Sequence, residues 1–378
     1  MIIYHRKKGK IMEKKKFKDI KLSCLGMGNM RLPVIDDVVD NPIDYQRAQE
    51  IIDYAYSHGV NYYDTAYVYH QGTSEKFVGE ALKKYPRDTY YVATKFNYGA
   101  NPDYEAVFEE QLANLQTDCI DFYLLHALSD DSAKSYEECG CIEYFNKQKE
   151  LGRIKYFGFS THASVETLKH FVSLNDWDFV QIQLNYFDWM YNTAKAEYEV
   201  LAENNIPIMV MESIRGGRLS NLSDQANKML LDKHPNWSIS SWALRFLKTL
   251  PQVQVMLSGM STLDQVKDNV ATMSDNIALT EDEVELLFKA CDEFKKALTI
   301  PCTGCRYCTD GCPMKINIPE FITVYNAYKM KGSSAIRKAK VNSEGKPSDC
   351  ISCGACMNHC PQNINIPDIM KELASKGL

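Results

Sequence analysis

The sequence predicts an α/β protein: a parallel (β/α)8 barrel of the TIM type, followed by a small, cysteine-rich and partly helical domain. Three observations carry this expectation. Over about 250 residues from Phe17, short apolar, β-branched or aromatic runs alternate with longer segments of helical spacing. The short runs are apolar on both faces, as strands of a parallel sheet covered by helices must be. After Pro301 the texture changes, and eight of the thirteen cysteines fall in that remainder. From pattern alone a doubly wound sheet stays open beside the barrel.

Taken in order, the strand candidates are "IKLSCLGMG", "NYYDTA", "TYYVATKF", "IDFYLLHA", "IKYFGFS", "DFVQIQLNY", "IPIMVME" and "VQVMLSGM". Segments such as "YQRAQEIIDYAYSHG", "SEKFVGEALKKY", "DYEAVFEEQLANL" and "AEYEVLAENN" read as the helices between them. The barrel is expected to end near Asn276. Thr280 and Glu283 then form a capping box that opens an amphipathic helix leading to Pro301. The expected boundaries are an N-terminal tail at 1–16, the barrel at 17–278, a connecting helix at 279–300 and the cysteine-rich domain at 301–378. Met12 offers a second start.

Bulk composition narrows the function classes. Residues are 45% hydrophobic and 24% charged, enough for a sizeable core. A net charge of -6 argues against a broad nucleic-acid footprint. No run reaches the roughly 20 apolar residues of a membrane helix, and the basic N-terminus lacks the apolar stretch of a secretion signal. A cytoplasmic location is expected. Clustered cysteines in such a chain favour metal ligation over disulfides.

The cysteine-rich domain contains an internal repeat, "CTGCRYCTDGCPMKINIP" and "CISCGACMNHCPQNINIP". Its cysteines are Cys302, Cys305, Cys308 and Cys312, then Cys350, Cys353, Cys356 and Cys360, each run closed by a proline. A four-cysteine shell also suits structural zinc, but zinc pairs come as separated halves, whereas here the third cysteine follows at once. The spacing resembles that of bacterial two-cluster ferredoxins, in which the fourth cysteine of each run ligates the other cluster. By that resemblance one 4Fe-4S cluster takes Cys302, Cys305, Cys308 and Cys360, and the other takes Cys350, Cys353, Cys356 and Cys312. The long connection between the runs contains "FITVYNAYKMKG", so the ferredoxin-like domain is expected to be more helical than a minimal one. Residues 301–378 hold ten Lys and Arg against six Asp and Glu. Two oxidised clusters with their thiolates would bring that near neutrality.

Chemistry in such a barrel belongs at the C-terminal ends of the strands. "NYYDTAYVY" puts Asp64 at a strand end with Tyr69 soon after, "YYVATKF" ends on Lys95, and "DFYLLHAL" on His126. Singly, each has a mundane reading as cap, surface charge, one of 23 tyrosines or core histidine. Together, with "GMGNMRLP", "GRIKYFGFSTH" and "QVKDNV", they make residues 18–275 resemble the aldo-keto reductases. The resemblance implies NADP- or NAD-linked reduction of a small carbonyl compound, with Tyr69 as acid, Lys95 and Asp64 tuning it and His126 orienting the carbonyl. A phenol is a poor acid near neutral pH, and an adjacent ammonium stabilises its phenolate.

The same resemblance puts Ser160, Thr161 and Gln181 at the nicotinamide carboxamide and Gly28 and Asn29 along the cofactor. Gly259, Gln265 and Asn269 fall at its adenosine end. Arg215 and Arg218 are candidate phosphate ligands in the seventh strand's loop. Residues that commonly grip a 2'-phosphate are absent, and Glu212 stands where many members stack an aromatic ring on nicotinamide. Nicotinamide transfers two electrons as hydride while each cluster passes one, and no run identifies a flavin site that could link them. The functional classes are therefore an iron-sulfur carbonyl reductase, an electron-transfer partner served by a ferredoxin or flavodoxin, and a redox or oxygen sensor.

Overall fold

The computed structural model describes residue 12 and residues 14–35, 42–275, 277–297, 300–331, 336, 337 and 339–378. The expected barrel end at 276 and most of the N-terminal tail lie outside the described residues. Two compact units emerge. The first runs up to Ile214 and resumes over Ser240–Val284; the second joins Arg215–Ile239 to Glu285–Leu378. The segment Arg215–Ile239, inside the expected barrel boundaries, thus groups with the cysteine-rich residues.

Among the described residues the first unit has ten strands: β1 Lys14–Phe17, β2 Ile20–Ser23, β3 Leu25–Gly28, β4 Tyr62–Asp64, β5 Tyr91–Phe96, β6 Ile120–Leu128, β7 Ile154–Thr161, β8 Phe179–Gln183, β9 Ile208–Met211 and β10 Val253–Ser258. Strands β3 to β10 close into a parallel barrel in chain order, with β10 beside β3. The opening run "IKLSCLGMG", expected as one strand, is divided at Cys24. The Ser23 hydroxyl donates to Leu25 O at 2.7 Å and the Ser23 N–H donates to Asn61 Oδ1 at 2.7 Å, bonds that hold the chain where β2 ends. Its first part instead pairs antiparallel with β1 as a hairpin.

The hairpin supplies one end of the barrel core. Phe17 packs against Phe122 at 5.4 Å and Tyr156 at 4.9 Å between ring centroids. Burying a ring of that size stabilises by about 1.5–3 kcal/mol. Gly158 is required where β7 meets β8, because an added Cβ would lie 2.3 Å from Phe179 O. The covering helices start on side-chain caps: Asp44, Asp103 and Ser164 accept from Arg47, Ala106 and Thr167 N–H groups. The expected capping box is present too, with Thr280 N–H on Glu283 Oε2 at 2.9 Å and Glu283 N–H on Thr280 Oγ1 at 3.3 Å.

In the second unit the sequence repeat is also a backbone repeat. Gly304 and Ser352, Arg306 and Gly354, and Lys315 and Asn363 occupy equivalent positions, and all six have positive φ between 50° and 78°. Each cysteine run continues into a one-turn helix, Tyr307–Asp310 or Ala355–Asn358. Each "INIP" opens a longer one, Ile318–Lys331 or Ile366–Ala374. These helices pack Ile318, Ile322, Ile366, Ile369, Met370 and Leu373 into one core that also contains Cys302, Cys308 and Cys356. Tyr325 donates to Glu372 Oε2 at 2.7 Å, and Lys329 pairs with the same carboxylate.

Candidate active site and cluster-binding module

Asp64 ends β4, Lys95 lies one residue from the end of β5, and His126 lies near the end of β6. Tyr69 sits in the turn before helix Ser74–Leu82. All four are buried. Lys95 Nζ donates to Asp64 Oδ1 and to Thr65 O, both at 2.6 Å, and lies 5.0 Å from the centroid of the Tyr69 ring. Tyr69 meets His126 edge-on, ring centroids 5.7 Å apart. Four residues distant in sequence thus share one dry corner. Burial pulls the Lys95 ammonium below the usual lysine range, and the Asp64 carboxylate opposes that pull. Burial, aided by the Lys95 charge, holds His126 well below the usual histidine range, so the imidazole is neutral at neutral pH.

Behind this corner runs a polar network that the helical pattern did not reveal. Gln111 Nε2 donates to Lys95 O at 3.0 Å and to Glu75 Oε1 at 2.6 Å. Thr94 donates to the same Glu75 oxygen, and Tyr123 donates to Gln111 Oε1 at 2.6 Å. Burial pushes the Glu75 carboxyl up to about 7. Glu75 and Gln111 look like solvent-facing helix residues in sequence. Asn97, also missed, lies with Nδ2 3.4 Å from His126 Nδ1, two residues beyond Lys95 in "TKFN".

The remaining candidates divide. Gly28, Asn29, Ser160 and Thr161 stand at the C-terminal ends of β3 and β7, the end that carries the tetrad, and Gln181 lies mid-strand in β8, level with Ser160. Asn29 Nδ2 donates to Asp64 O at 2.9 Å, while Asn29 Oδ1 and Gln181 Oε1 are buried without a hydrogen-bond partner among the described residues. Ser160 Oγ accepts from Ala127 N–H at 2.8 Å and Thr161 Oγ1 from Ala163 N–H at 3.0 Å. Gly259 lets Arg31 pack close, since an added Cβ would lie 3.1 Å from Arg31 Cβ. Gln265 closes a capping box with Thr262, and Asn269 Nδ2 donates to Ser258 Oγ at 2.9 Å. Glu212 has φ 57° and pairs with Arg31 at 3.9 Å. Arg215 and Arg218 belong to the second unit, where Arg215 donates to Pro301 O and Gln362 Oε1 and Arg218 to Cys302 O.

Two cavities occupy the cysteine repeat. One is lined by Cys302, Cys305, Cys308 and Cys360. The other is lined by Cys350, Cys353, Cys356 and Cys312. Each quartet takes three thiols from one repeat and the fourth from the other. Among the described residues no group of three or more Cys, His, Asp or Glu side chains is placed to hold a single metal ion. That donor set fits a multi-atom group held by four thiolates. Burial, reinforced by the neighbouring thiols, pushes Cys308 well up and Cys356 up to about 11. Thiols so placed ionise when a cationic group binds them.

A closed parallel barrel with this polar corner at its strand ends, joined to a thiol-rich module, defines an iron-sulfur oxidoreductase. The comparisons agree. Residues 24–292 match the aldo/keto reductase family model and 301–364 match a 4Fe-4S dicluster domain; the chain belongs to the aldo/keto reductase family. It is 27% identical to the uncharacterized oxidoreductase YqkF of Bacillus subtilis (strain 168), over 71% of this chain and 92% of that protein. It is 25% identical to the NADH-specific methylglyoxal reductase of Escherichia coli (strain K12), over 69% of this chain and 92% of that one. Among solved structures, the holo form of aldo-keto reductase AKR11C1 from Bacillus halodurans is 27% identical, with a TM-score of 0.62 over 74% of this chain and 96% of that chain. No helix among the described residues is long and apolar enough to cross a membrane.

Proposed function

We propose that the protein reduces a small carbonyl compound with NADH or NADPH at the barrel mouth, Tyr69 acting as proton donor, and that its C-terminal module holds two 4Fe-4S clusters. The observation that carries the reading is Lys95: buried, bonded to Asp64, and 5.0 Å from the Tyr69 ring centroid. Nicotinamide, when bound, supplies hydride to the carbonyl carbon. The Tyr69 phenol gives its proton to the carbonyl oxygen, and the Lys95 ammonium stabilises the phenolate left behind. Asp64 keeps Lys95 charged inside a core that would otherwise neutralise it. His126, neutral, donates an N–H to the carbonyl oxygen while Asn97 occupies Nδ1, so binding adds no charge at the reacting centre.

The residues present suit a nicotinamide carboxamide. Gln181 Oε1 and Asn29 Oδ1 are buried acceptors lacking a donor among the described residues, and a primary amide supplies N–H groups. A second reading, in which a ferredoxin or flavodoxin feeds the clusters and nicotinamide binds weakly, is favoured by Glu212: a carboxylate beside the cofactor gives no stacking.

The test uses protein purified without oxygen. Adding NADH or NADPH should quench or blue-shift nicotinamide fluorescence, and Tyr69→Phe should still bind nucleotide while losing about 10²–10⁴-fold in carbonyl turnover. Its iron content and visible absorbance should match wild type. Undiminished turnover removes Tyr69 as the donor; bleaching by reduced ferredoxin without nicotinamide binding supports the second reading.

A further inference from the structure

The two halves of the cysteine repeat share a backbone but differ in their electrostatic surroundings. The cavity lined by Cys302, Cys305, Cys308 and Cys360 has Thr303, Arg306 and Gln362 in its wall beside the apolar Pro319, Ile322, Ile364 and Ile366. Its counterpart is walled by isoleucine, proline, methionine, Ser352 and Gly354, with no charged side chain among the described residues. Two further guanidiniums hold the first loop. Arg215, only 1% exposed, donates Nη1 to Pro301 O at 2.8 Å and Nη2 to Gln362 Oε1 at 2.7 Å. Arg218 donates Nε to Cys302 O at 3.2 Å and Nη2 to Thr323 Oγ1 at 2.9 Å. Gly304 N–H donates to Cys302 Sγ at 3.3 Å.

We propose that the two clusters are unequal: the one held by the first cavity has the higher reduction potential and is reduced first, and Arg215, Arg218 and Arg306 set the difference. The proposal rests on the two-cluster reading above. An electron from a one-electron carrier enters the pair, the carrier is oxidised by one, and no bond or proton changes hands. Reduction adds one negative charge to a cluster. Guanidiniums and an N–H donor to sulfur stabilise that charge, whereas an uncharged wall does not. One effect opposes the ordering, because Cys353 is exposed and water there stabilises a reduced second cluster. Solvent at one sulfur is outweighed by three cations, of which Arg215 is the least screened because it is buried.

The ordering is testable on full-length, cluster-loaded protein by anaerobic potentiometry with dithionite, following both clusters by electron paramagnetic resonance. Wild type should show two midpoints. Arg215→Gln should lower the higher midpoint most, by a tenfold or larger loss in the reduction constant, about 59 mV for one electron. Arg218→Gln should lower it less, Arg306→Gly least, and Arg218→Lys should restore most of the Arg218→Gln loss. The lower midpoint should stay within error. Arg306→Gly keeps the proposal falsifiable even where Arg215→Gln fails to fold: Arg306 has φ 70°, and its equivalent in the second repeat is Gly354 at φ 78°. Coincident wild-type midpoints at about eight irons per chain, movement of the lower midpoint, or no movement in any variant overturns the proposal. About four irons and a single signal would overturn the two-cluster reading as well, and iron analysis tells the two failures apart.

Discussion

The barrel corner and the cysteine module reach order by opposite routes. In the corner, Asp64, Tyr69, Lys95 and His126 come from three strands and a turn, and each is held by the others in a dry interior. In the module, eight thiols come from two short runs whose left-handed positions repeat one for one. They line cavities instead of bonding to one another. The corner is complete in the chain's own side chains, while the module needs an added group to balance its thiols. Damage should therefore stay local: a corner substitution should end chemistry with the iron retained, and a cysteine substitution should lose iron with the corner retained.

The largest effect is expected from Lys95→Met. Turnover should fall about 10²–10⁴-fold, and Asp64, left buried without its partner, should cost about 3–5 kcal/mol in urea unfolding. The double variant Lys95→Met/Asp64→Asn should recover most of the stability and none of the turnover. Recovery of turnover would mean that Lys95 acts only as a structural counter-ion. Next comes Cys305→Ser. Iron should fall from about eight to about four per chain or lower, with proportional loss of visible absorbance. Nicotinamide-driven carbonyl turnover should stay within about twofold. A parallel collapse of turnover would break the comparison, because the clusters would then serve the carbonyl step directly.

The same contrast separates the features that are legible in the amino-acid sequence from those that are not. Three of the four thiolates around one cluster sit on one tight loop, so their spacing is a local signal that the sequence carries by itself. The barrel tetrad is legible because each apolar run ends on a polar residue, a pattern that points to strand ends. Residues acting across distance are not legible. Glu75 and Gln111 sit on helices, where polar residues read as solvent-facing, and only the fold shows them packed behind Lys95. Arg215 and Arg218 follow β9, where a barrel binds phosphate, yet they group with the cysteine loops through bonds to Pro301 and Cys302. The "KKKF" of β1 has too many charges to signal a strand; its pairing with β2 and the burial of Phe17 make it one.

Glu75 offers a pH test that confines the difference to the barrel. Its folded pKa of about 7 lies above the 4.5 of an ordinary glutamate. Its contribution to stability is therefore full below about 4.5 and is lost as pH rises through about 7. Glu75→Gln keeps an acceptor for Thr94 and Gln111 and removes the ionisation. Between pH 5.5 and 8.5 the wild-type barrel should lose about 2 kcal/mol that the variant retains. Equal pH slopes in urea unfolding would show that the network tolerates the charge. The visible absorbance of the module should be the same in both proteins at each pH.

The smallest effects come from a matched pair of tyrosines. Tyr123→Phe removes a hydroxyl that donates to the buried Gln111 Oε1 at 2.6 Å and leaves that oxygen without a donor in a dry network. An orphaned buried acceptor costs about 1–3 kcal/mol. Tyr325→Phe removes a hydroxyl that donates to Glu372 Oε2 at 2.7 Å, but Glu372 is one-third exposed and keeps Lys329. Water replaces the lost donor, so the cost should be about 0.5–1.5 kcal/mol. The first is read from unfolding of the barrel and the second from the urea concentration that bleaches the clusters. Reversal of that order would mean that the module, not the barrel corner, is the part whose polar groups cannot be replaced by solvent.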